Sequence, residues 1–307
     1  RPVERYTHAL SGVAVELTAE QARKLSADPR VLSVTENRLE TLHTDQSPEM
    51  LGLTGPDGVW KHAGDTQGQG VVVGVIDSGI NPANPSFDDA GMTAPPADWR
   101  GACKSETPAD FPESTCDNKI IGAKVFREGL GEHKLADHES HSPLDVHGHG
   151  SHTASTATGA AGTKVSVNGL PSGPISGMAP KAHVAAYKAC WELAEGRGVC
   201  PTVDTTAAID AAVADGVDII NYSISGTDRD LRDPVEVAFM NAAASGVFVA
   251  ASSGNDGPKE ATTNHPSPWL TTVAASTHRI AENTLVTGDG ERYIGSSVTG
   301  GLPEAPM

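Results

Sequence analysis

Long apolar runs and basic residues are both scarce in this chain of 307 residues. No apolar stretch approaches the roughly 20 residues that a membrane-spanning helix needs, and the runs at 71–76 and 247–251 are typical of short buried strands. Lysine and arginine number 22 against 39 acidic residues, which gives a formal charge of -17. Because nucleic-acid binding usually requires a basic stripe, we expect no nucleic-acid partner. Because no apolar run is long enough, we expect no membrane partner either.

Cysteine is also rare, and its spacing excludes the commonest zinc sites. The four cysteines, Cys103, Cys116, Cys190 and Cys200, include no C-x2-C pair, and we predict no metal and no cofactor. Four cysteines allow three disulfide connectivities. Because each local pair flanks a polar loop, pairing of 103 with 116 and of 190 with 200 is favoured. Disulfides would imply an oxidising compartment and a secreted protein, whereas reduced thiols would suit an intracellular one.

The two ends of the chain lack the usual starting and closing signals. The sequence begins at Arg1 without an initiator methionine or a signal peptide, and it ends at 305–307 without a helix cap. We therefore expect the chain to be cut at both ends.

The first 42 residues form a separate unit in the sequence pattern. Residues 6–17 alternate enough to predict a strand, and Thr18 with Gln21 resembles a capping box that starts a helix. That helix is expected to end near Ala27, before a second strand at 31–35. Strand, helix and strand in this order indicate half of a small α+β module, joined by a polar linker to the rest.

From residue 68 onward the pattern is that of an α/β protein. Apolar strands are predicted near 71–76, 119–125, 183–188, 217–221, 246–251 and 271–275, and helices at 149–160, 204–215 and 232–244. Such alternation predicts a parallel sheet with helices on both faces. Ligands of these sheets bind beyond the carboxyl ends of the strands.

Asp77 and His149 are the first candidates for chemistry. Asp77 follows a buried apolar run, and His149 lies between two glycines at the predicted start of a helix. A carboxylate can fix one tautomer of an imidazole, which can then take a proton from a nucleophile. Alone, Asp77 could be only a turn residue. Six of the twelve histidines fall in 133–152, but His149 and His152 have no third ligand at a recognised spacing, so we predict no metal site there.

Two further segments carry polar groups at predicted strand ends. Asn255 lies in a Gly-Asn-Asp-Gly-Pro turn, where its amide could donate to a developing oxyanion or could simply form the turn. Residues Ser223, Ile224, Ser225 and Gly226 end the preceding predicted strand. As an exposed edge they could pair with an extended peptide, although a plain buried strand would have the same sequence pattern.

Together these segments resemble the subtilases, the subtilisin-like serine proteases. The blocks V-I-D-S-G, H-G-x-H-x-A, N-x-S-I-S-G and S-G-N-x-G-P all match in this order, from about residue 48 to the end. Segments near 43–53, 99–103, 118–123 and 187–191 are similar to the cucumisin-like group. Residues 10–13 and 31–34 resemble parts of the family's inhibitory propeptide.

The resemblance implies a fold, a reaction and a role for each residue. It implies a three-layer α/β catalytic domain with a parallel sheet over 44–307, incomplete at its end, preceded at 1–43 by part of a small α+β propeptide. Asp77 would orient the imidazole, His149 would be the general base, and Asn255 would donate to the oxyanion. Ser223–Gly226 would line the cleft for a protein or peptide substrate. Self-cleavage near His43–Thr44 would release the propeptide, which is itself a partner of the cleft.

One departure from the family pattern bears on the function. The family places its serine after Asp and His, in a G-T-S-M-A type block, and no such block occurs in this sequence. We therefore expect a secreted serine endopeptidase of which this chain carries Asp and His but not Ser. The alternative is an inactive pseudoprotease that binds extended peptides. A nucleotide-binding domain is disfavoured, because no glycine-rich phosphate loop follows the strand at 71–76.

Overall fold

The computed structural model describes residues 2–6, 12–15, 17–31, 34, 47–105, 107–167, 170–257, 259–275, 282–286 and 292–296. The chain divides into two compact units. The larger comprises Thr44–Val167 and Pro171–Ser276, and the smaller comprises the remaining segments.

The smaller unit begins with a hairpin and a capped helix. Strands β1 (Pro2–Tyr6) and β2 (Gly12–Val15) pair antiparallel, and helix α1 spans Ala19–Ser26. Thr18 and Gln21 form the reciprocal hydrogen bonds of a capping box, as the sequence predicted. The single strand predicted at 6–17 is wrong, because two strands that pair with each other satisfy backbone groups that one long run would leave unpaired. Most of the strand predicted at 31–35 lies outside the described residues.

The remaining elements are strands with helices between some of them. In chain order they are α2 (Ser47–Met50), α3 (Val59–His62), β3 (Val72–Asp77), β4 (Ile120–Val125), α4 (His149–Thr158), β5 (Thr163–Val167), β6 (Leu170–Ile175), β7 (His183–Lys188), β8 (Trp191–Glu192), β9 (Gly198–Val199), α5 (Thr202–Asp215), β10 (Ile219–Tyr222), α6 (Pro234–Ala244), β11 (Phe248–Ser252), β12 (Thr271–Val273), β13 (Glu282–Val286) and β14 (Arg292–Ser296). The last two form an antiparallel hairpin.

A six-stranded parallel sheet organises the larger unit. Its strand order is β12-β11-β10-β3-β7-β4, and every neighbouring pair is parallel. The sequence-based prediction of a parallel α/β sheet is confirmed, with each predicted strand found within a few residues. β3 lies between β10 and β7, so the residue that ends it lies in the middle of the sheet's carboxyl edge.

Helices cover both faces of this sheet. Along β3, Val72 and Ile76 pack in the apolar cluster that contains α5 and α6 residues such as Ile209. The alternate residues of β3, Val73 and Val75, pack in a second cluster with Ala154 of α4. Because side chains alternate between the faces of a strand, the central strands are apolar on both sides. This arrangement is the three-layer architecture that the sequence predicted.

Two disulfides fasten loops beside the sheet. Cys103 is bonded to Cys116, and Cys190 is bonded to Cys200, which is the pairing that the loop positions favoured. Among the described residues, no helix is long and apolar enough to cross a bilayer.

Candidate active site

Asp77 and His149 meet at the carboxyl edge of the sheet. Asp77 is the last residue of β3 and is 2% exposed, and His149 is the first residue of α4. The imidazole Nδ1 lies 2.8 and 3.0 Å from the two carboxylate oxygens of Asp77. A carboxylate only accepts, so Nδ1 carries the proton and the other ring nitrogen, Nε2, is the basic one. The two residues that the sequence singled out are therefore in direct contact.

Glycines let α4 approach β3 closely enough for this contact. A Cβ added to Gly150 would lie 2.3 Å from the carbonyl oxygen of Gly79, so only glycine allows the backbones to touch there. Gly148, just before the helix, has a φ of 93°, which favours glycine. Gly150 thus allows the close packing of the helix, and Gly148 allows the left-handed backbone that precedes it.

Asp145 anchors the start of α4, and sequence reasoning missed it. Its buried carboxylate accepts from the backbone N–H groups of Gly148 and Ser151, both at 2.8 Å. It also accepts from the hydroxyls of Ser78 at 2.9 Å and Ser151 at 2.6 Å. The Ser78 hydroxyl in turn accepts from the N–H of Gly150 at 2.9 Å. Since Gly148 has no side chain with which to cap the helix, Asp145 satisfies those donors in its place.

Hydrogen bonds, burial and neighbouring charges shift the pKa values of His149 and Asp145. The hydrogen bond to Asp77 raises the pKa of His149 above its usual value, against the opposing effect of burial, and the charge of Asp145 adds to the increase. Burial alone would raise the pKa of Asp145, but its hydrogen bonds, those from Ser151 foremost, outweigh burial and lower it. The site therefore holds two carboxylates beside an imidazole that readily becomes protonated.

The second nitrogen of His149 remains available. The side chain is 46% exposed, and Nε2 has no hydrogen-bond partner among the described residues. Asp77 is held further by the backbone N–H of Ser78 at 2.7 Å and by the hydroxyl of Thr153 at 3.3 Å. An imidazole fixed through one nitrogen and open at the other can accept a proton from a group that approaches from solvent.

The other predicted residues lie along the same edge of the sheet. Ser223–Gly226 follows β10, and Asn255 lies in an exposed turn just after β11. Since β10 lies between β11 and β3, the 223–226 segment leaves the sheet between Asn255 and Asp77. Strands are spaced by about 4.8 Å, so the ends of β3 and β11 are separated by about 10 Å.

Two neighbouring residues that the sequence did not single out, Asn264 and His265, connect the segment after β10 to the turn after β11. The side-chain oxygen of Asn264 accepts from the N–H of Gly226 at 3.0 Å, and the Asn264 N–H donates to the carbonyl of Ser253 at 3.0 Å. The neighbouring His265 contacts the carbonyl of Ile224. The Asn264–His265 dipeptide therefore fastens the segment after β10 to the turn after β11.

The remaining candidates are placed as follows. His147 lies near His149, with ring centroids 6.3 Å apart, and His152 is exposed on α4. Within the described ranges, no three His, Cys, Asp or Glu side chains form a group that could hold a metal ion. His43 and Thr44, where cleavage was predicted, lie outside the described residues.

Comparisons with known proteins identify the families that the two parts of the chain resemble. Residues 68–291 match the Subtilase family, Peptidase S8, and residues 1–43 match the Peptidase inhibitor I9 family. Three proteins of Arabidopsis thaliana are among the similar relatives. Subtilisin-like protease SBT1.6 is 40% identical over 99% of this chain, SBT1.4 is 39% identical over 98%, and SBT4.14 is 36% identical over 99%. The chain spans about two fifths of the length of each, at 40%, 39% and 39%.

Proposed function

The chain belongs to the subtilase family, and from this premise we propose that it forms the Asp- and His-bearing part of a secreted serine endopeptidase. The observation that carries the proposal is the contact of His149 Nδ1 with Asp77, which leaves Nε2 open to solvent. The nucleophilic serine is proposed to come from a part of the protein outside these 307 residues. The absence of a G-T-S-M-A type block in the sequence supports this.

In the proposed reaction, His149 transfers a proton between nucleophile and leaving group. Nε2 takes the proton of the serine hydroxyl while the serine oxygen forms a bond to the peptide carbonyl carbon. The carbonyl oxygen becomes an oxyanion, to which the Asn255 amide donates. His149 then gives its proton to the departing amine as the peptide C–N bond breaks. Water repeats the sequence on the acyl-enzyme, and Asp77 stabilises the imidazolium in both steps.

The substrate is proposed to bind as an extended peptide along Ser223–Gly226. A strand-like substrate donates and accepts main-chain hydrogen bonds, which requires no particular side chain. The segment has suitable surroundings, because it lies between Asp77 and Asn255 at the open edge of the sheet, and Ser225 and Gly226 are exposed.

Residues 1–43 are proposed to be the inhibitory propeptide of the same protein, and residues 44–307 part of its peptidase domain. The match of 1–43 to the Peptidase inhibitor I9 family supports this proposal. Self-cleavage near His43–Thr44 would then separate the two. The two disulfides support maturation in an oxidising compartment and hence secretion.

The proposal is tested by comparing this chain with the complete protein. The open reading frame is sequenced to its natural stop codon and expressed, and hydrolysis of a chromogenic peptide is measured for both proteins. We expect turnover by the complete protein, its loss in the His149→Ala variant, and none by the isolated 307 residues. A stop codon directly after Met307 would instead favour the pseudoprotease, as would an inactive complete protein that binds extended peptides. Turnover by the isolated chain that requires His149 would refute a nucleophile outside it.

A further inference from the structure

A second carboxylate–imidazole pair lies buried beneath the proposed cleft. Glu236 on α6 and His265 are each fully buried, and His265 Nδ1 lies 2.5 Å from Glu236 Oε1. The other ring nitrogen, Nε2, lies 3.1 Å from the carbonyl oxygen of Ile224. The imidazole thus connects the helix to the backbone of the 223–226 segment.

The contacts of His265 occupy both of its ring nitrogens. A carbonyl oxygen only accepts, so Nε2 must carry a proton and donate it to Ile224. On the other side, a hydrogen bond joins Nδ1 to Glu236. The hydroxyl of Ser267 donates to the second oxygen of Glu236. Every nitrogen and oxygen of the pair therefore has a partner, as burial demands.

The backbone around His265 is shaped to bring the ring to this position. His265 has a φ of 52°, which is uncommon for a residue other than glycine. A Cβ added to Gly226 would lie 2.1 Å from Cε1 of the ring, so the glycine lies directly on the imidazole. The N–H of His265 donates to the carbonyl of Thr227 at 2.9 Å. Strained backbone of this kind persists only where the surrounding structure requires it.

We propose that His265 is a positioning residue that holds the main chain of Ser223–Gly226 in the geometry to which an extended substrate pairs. Glu236 orients the ring, Nε2 fixes the Ile224 carbonyl, and the ring face supports Gly226. That this segment binds substrate rests on the proposed function. That His265 immobilises the segment does not, and the two statements are tested separately.

The immobilising role is tested on the isolated chain by amide hydrogen exchange. His265→Asn keeps a polar group near Glu236 and tolerates the left-handed backbone, but it is too short to reach Ile224. His265→Gln is long enough to donate to the Ile224 carbonyl. We expect exchange over 223–227 to become roughly ten- to hundredfold faster in His265→Asn, and to stay within about threefold of wild type in His265→Gln. Exchange over 72–77 should not change in either variant.

His183 provides the matched control. It is equally buried, at 0% exposed, but it lies at the amino end of β7, where Nδ1 contacts the carbonyl of Asn118 at 2.7 Å. His183→Asn should leave exchange over 223–227 at the wild-type rate. The role is refuted if the two His→Asn variants accelerate 223–227 equally, if neither does, or if His265→Gln behaves like His265→Asn.

The substrate-binding role is tested on the complete protein. There His265→Asn should raise KM for a chromogenic tetrapeptide more than it lowers kcat, and His265→Gln should restore much of the loss. If exchange over 223–227 accelerates but KM stays at the wild-type value, His265 holds a segment that does not bind substrate. That result refutes the placement of the cleft while leaving the immobilising role intact.

Discussion

Two carboxylate–imidazole pairs, Asp77–His149 and Glu236–His265, share the same Nδ1 contact but differ in their surroundings. In both, a histidine Nδ1 lies within hydrogen-bond distance of a buried carboxylate, at 2.8 Å for Asp77 and 2.5 Å for Glu236. The His149 side chain is 46% exposed, whereas that of His265 is 1% exposed. Nε2 of His149 is open to solvent, and Nε2 of His265 is bound to a carbonyl.

The second nitrogen therefore decides what each pair can do. A proton can be moved only if one nitrogen of the ring can reach a reacting group, and of these two rings only that of His149 meets the condition. A ring that is tied at both nitrogens can hold a backbone in place but cannot exchange protons with a substrate. A carboxylate beside a histidine is thus insufficient to identify a general base.

The largest expected effect is the difference between Asp77→Asn and Glu236→Gln, the two carboxylate-to-amide substitutions, in the complete protein. Asp77→Asn should lower kcat by about 10⁴-fold, because an amide favours the wrong tautomer of His149 and cannot stabilise the imidazolium. Glu236→Gln should leave kcat within about tenfold, because the amide can still hold His265. Initial-rate kinetics with a chromogenic peptide measure kcat of both variants. Equal losses of kcat would contradict the different roles assigned to the two pairs.

A smaller effect is expected when the anchor of α4 is weakened. Asp145→Asn removes a charge that accepts four hydrogen bonds, and we expect the free energy of unfolding of the isolated chain to fall by about 2–4 kcal/mol at pH 7. The pKa of Asp145 is lowered on folding, so its stabilisation is complete above its unfolded pKa and is lost as pH falls through the folded pKa. The deficit of the variant should accordingly shrink in acid.

Urea unfolding at pH 7 and in acid measures this difference. Asp137→Asn, at an exposed position, is the control and should change stability by less than about 0.5 kcal/mol. An Asp145→Asn deficit that persisted undiminished below the folded pKa would mean that the charge is not what stabilises α4.

The protonation of His149 gives a third test. Its pKa is raised by Asp77, so NMR titration of the isolated chain should place the His149 midpoint above the ordinary value of about 6.5. The Asp77→Asn variant should lower that midpoint. Because the folded pKa is the higher one, the stabilisation from this pair is complete below the unfolded pKa and is lost as pH rises through the folded pKa. A midpoint that Asp77→Asn leaves unchanged would contradict the assigned hydrogen bond.

The smallest effect should come from Thr153, whose hydroxyl is 3.3 Å from Asp77 Oδ2. The same hydroxyl also lies 3.1 Å from the carbonyl of Gly150, so its contact with Asp77 is long and shared. Thr153→Val should lower kcat of the complete protein by only about two- to fivefold. A loss approaching that of Asp77→Asn would show that the hydroxyl, rather than the N–H of Ser78, keeps the carboxylate in place.

The sequence predicted the sheet and the first pair well, for a physical reason. Apolar runs such as 71–76 are buried on both faces, so they stand out in the sequence, and Asp77 is conspicuous at the end of one. His149 is flanked by Gly150, which the close approach of α4 to β3 requires, and by Gly148, whose positive φ favours glycine. Signals of this kind are local, and they can be read from a few neighbouring residues.

The Glu236–His265 pair was missed because its two residues are far apart in the chain. Glu236 and His265 are separated by 29 positions, and neither lies in a distinctive motif. One signal was available, since Glu236 is three residues before Phe239 and shares its buried helix face. A carboxylate on such a face needs a partner, but the sequence does not say which. Asp145 was missed for a different reason: it lies four residues before the first residue of its helix, where an Asp looks like an ordinary turn residue.

The contact between Gly226 and the His265 ring makes these two positions interdependent in evolution and in engineering. Any side chain at 226 would have to occupy the space of the imidazole, since its Cβ would lie 2.1 Å from Cε1. A library that varies the cleft at 226 alone should return glycine almost exclusively. Variation at 226 becomes accessible only after the ring at 265 is replaced by something smaller, so the order of the two substitutions determines which variants can be reached.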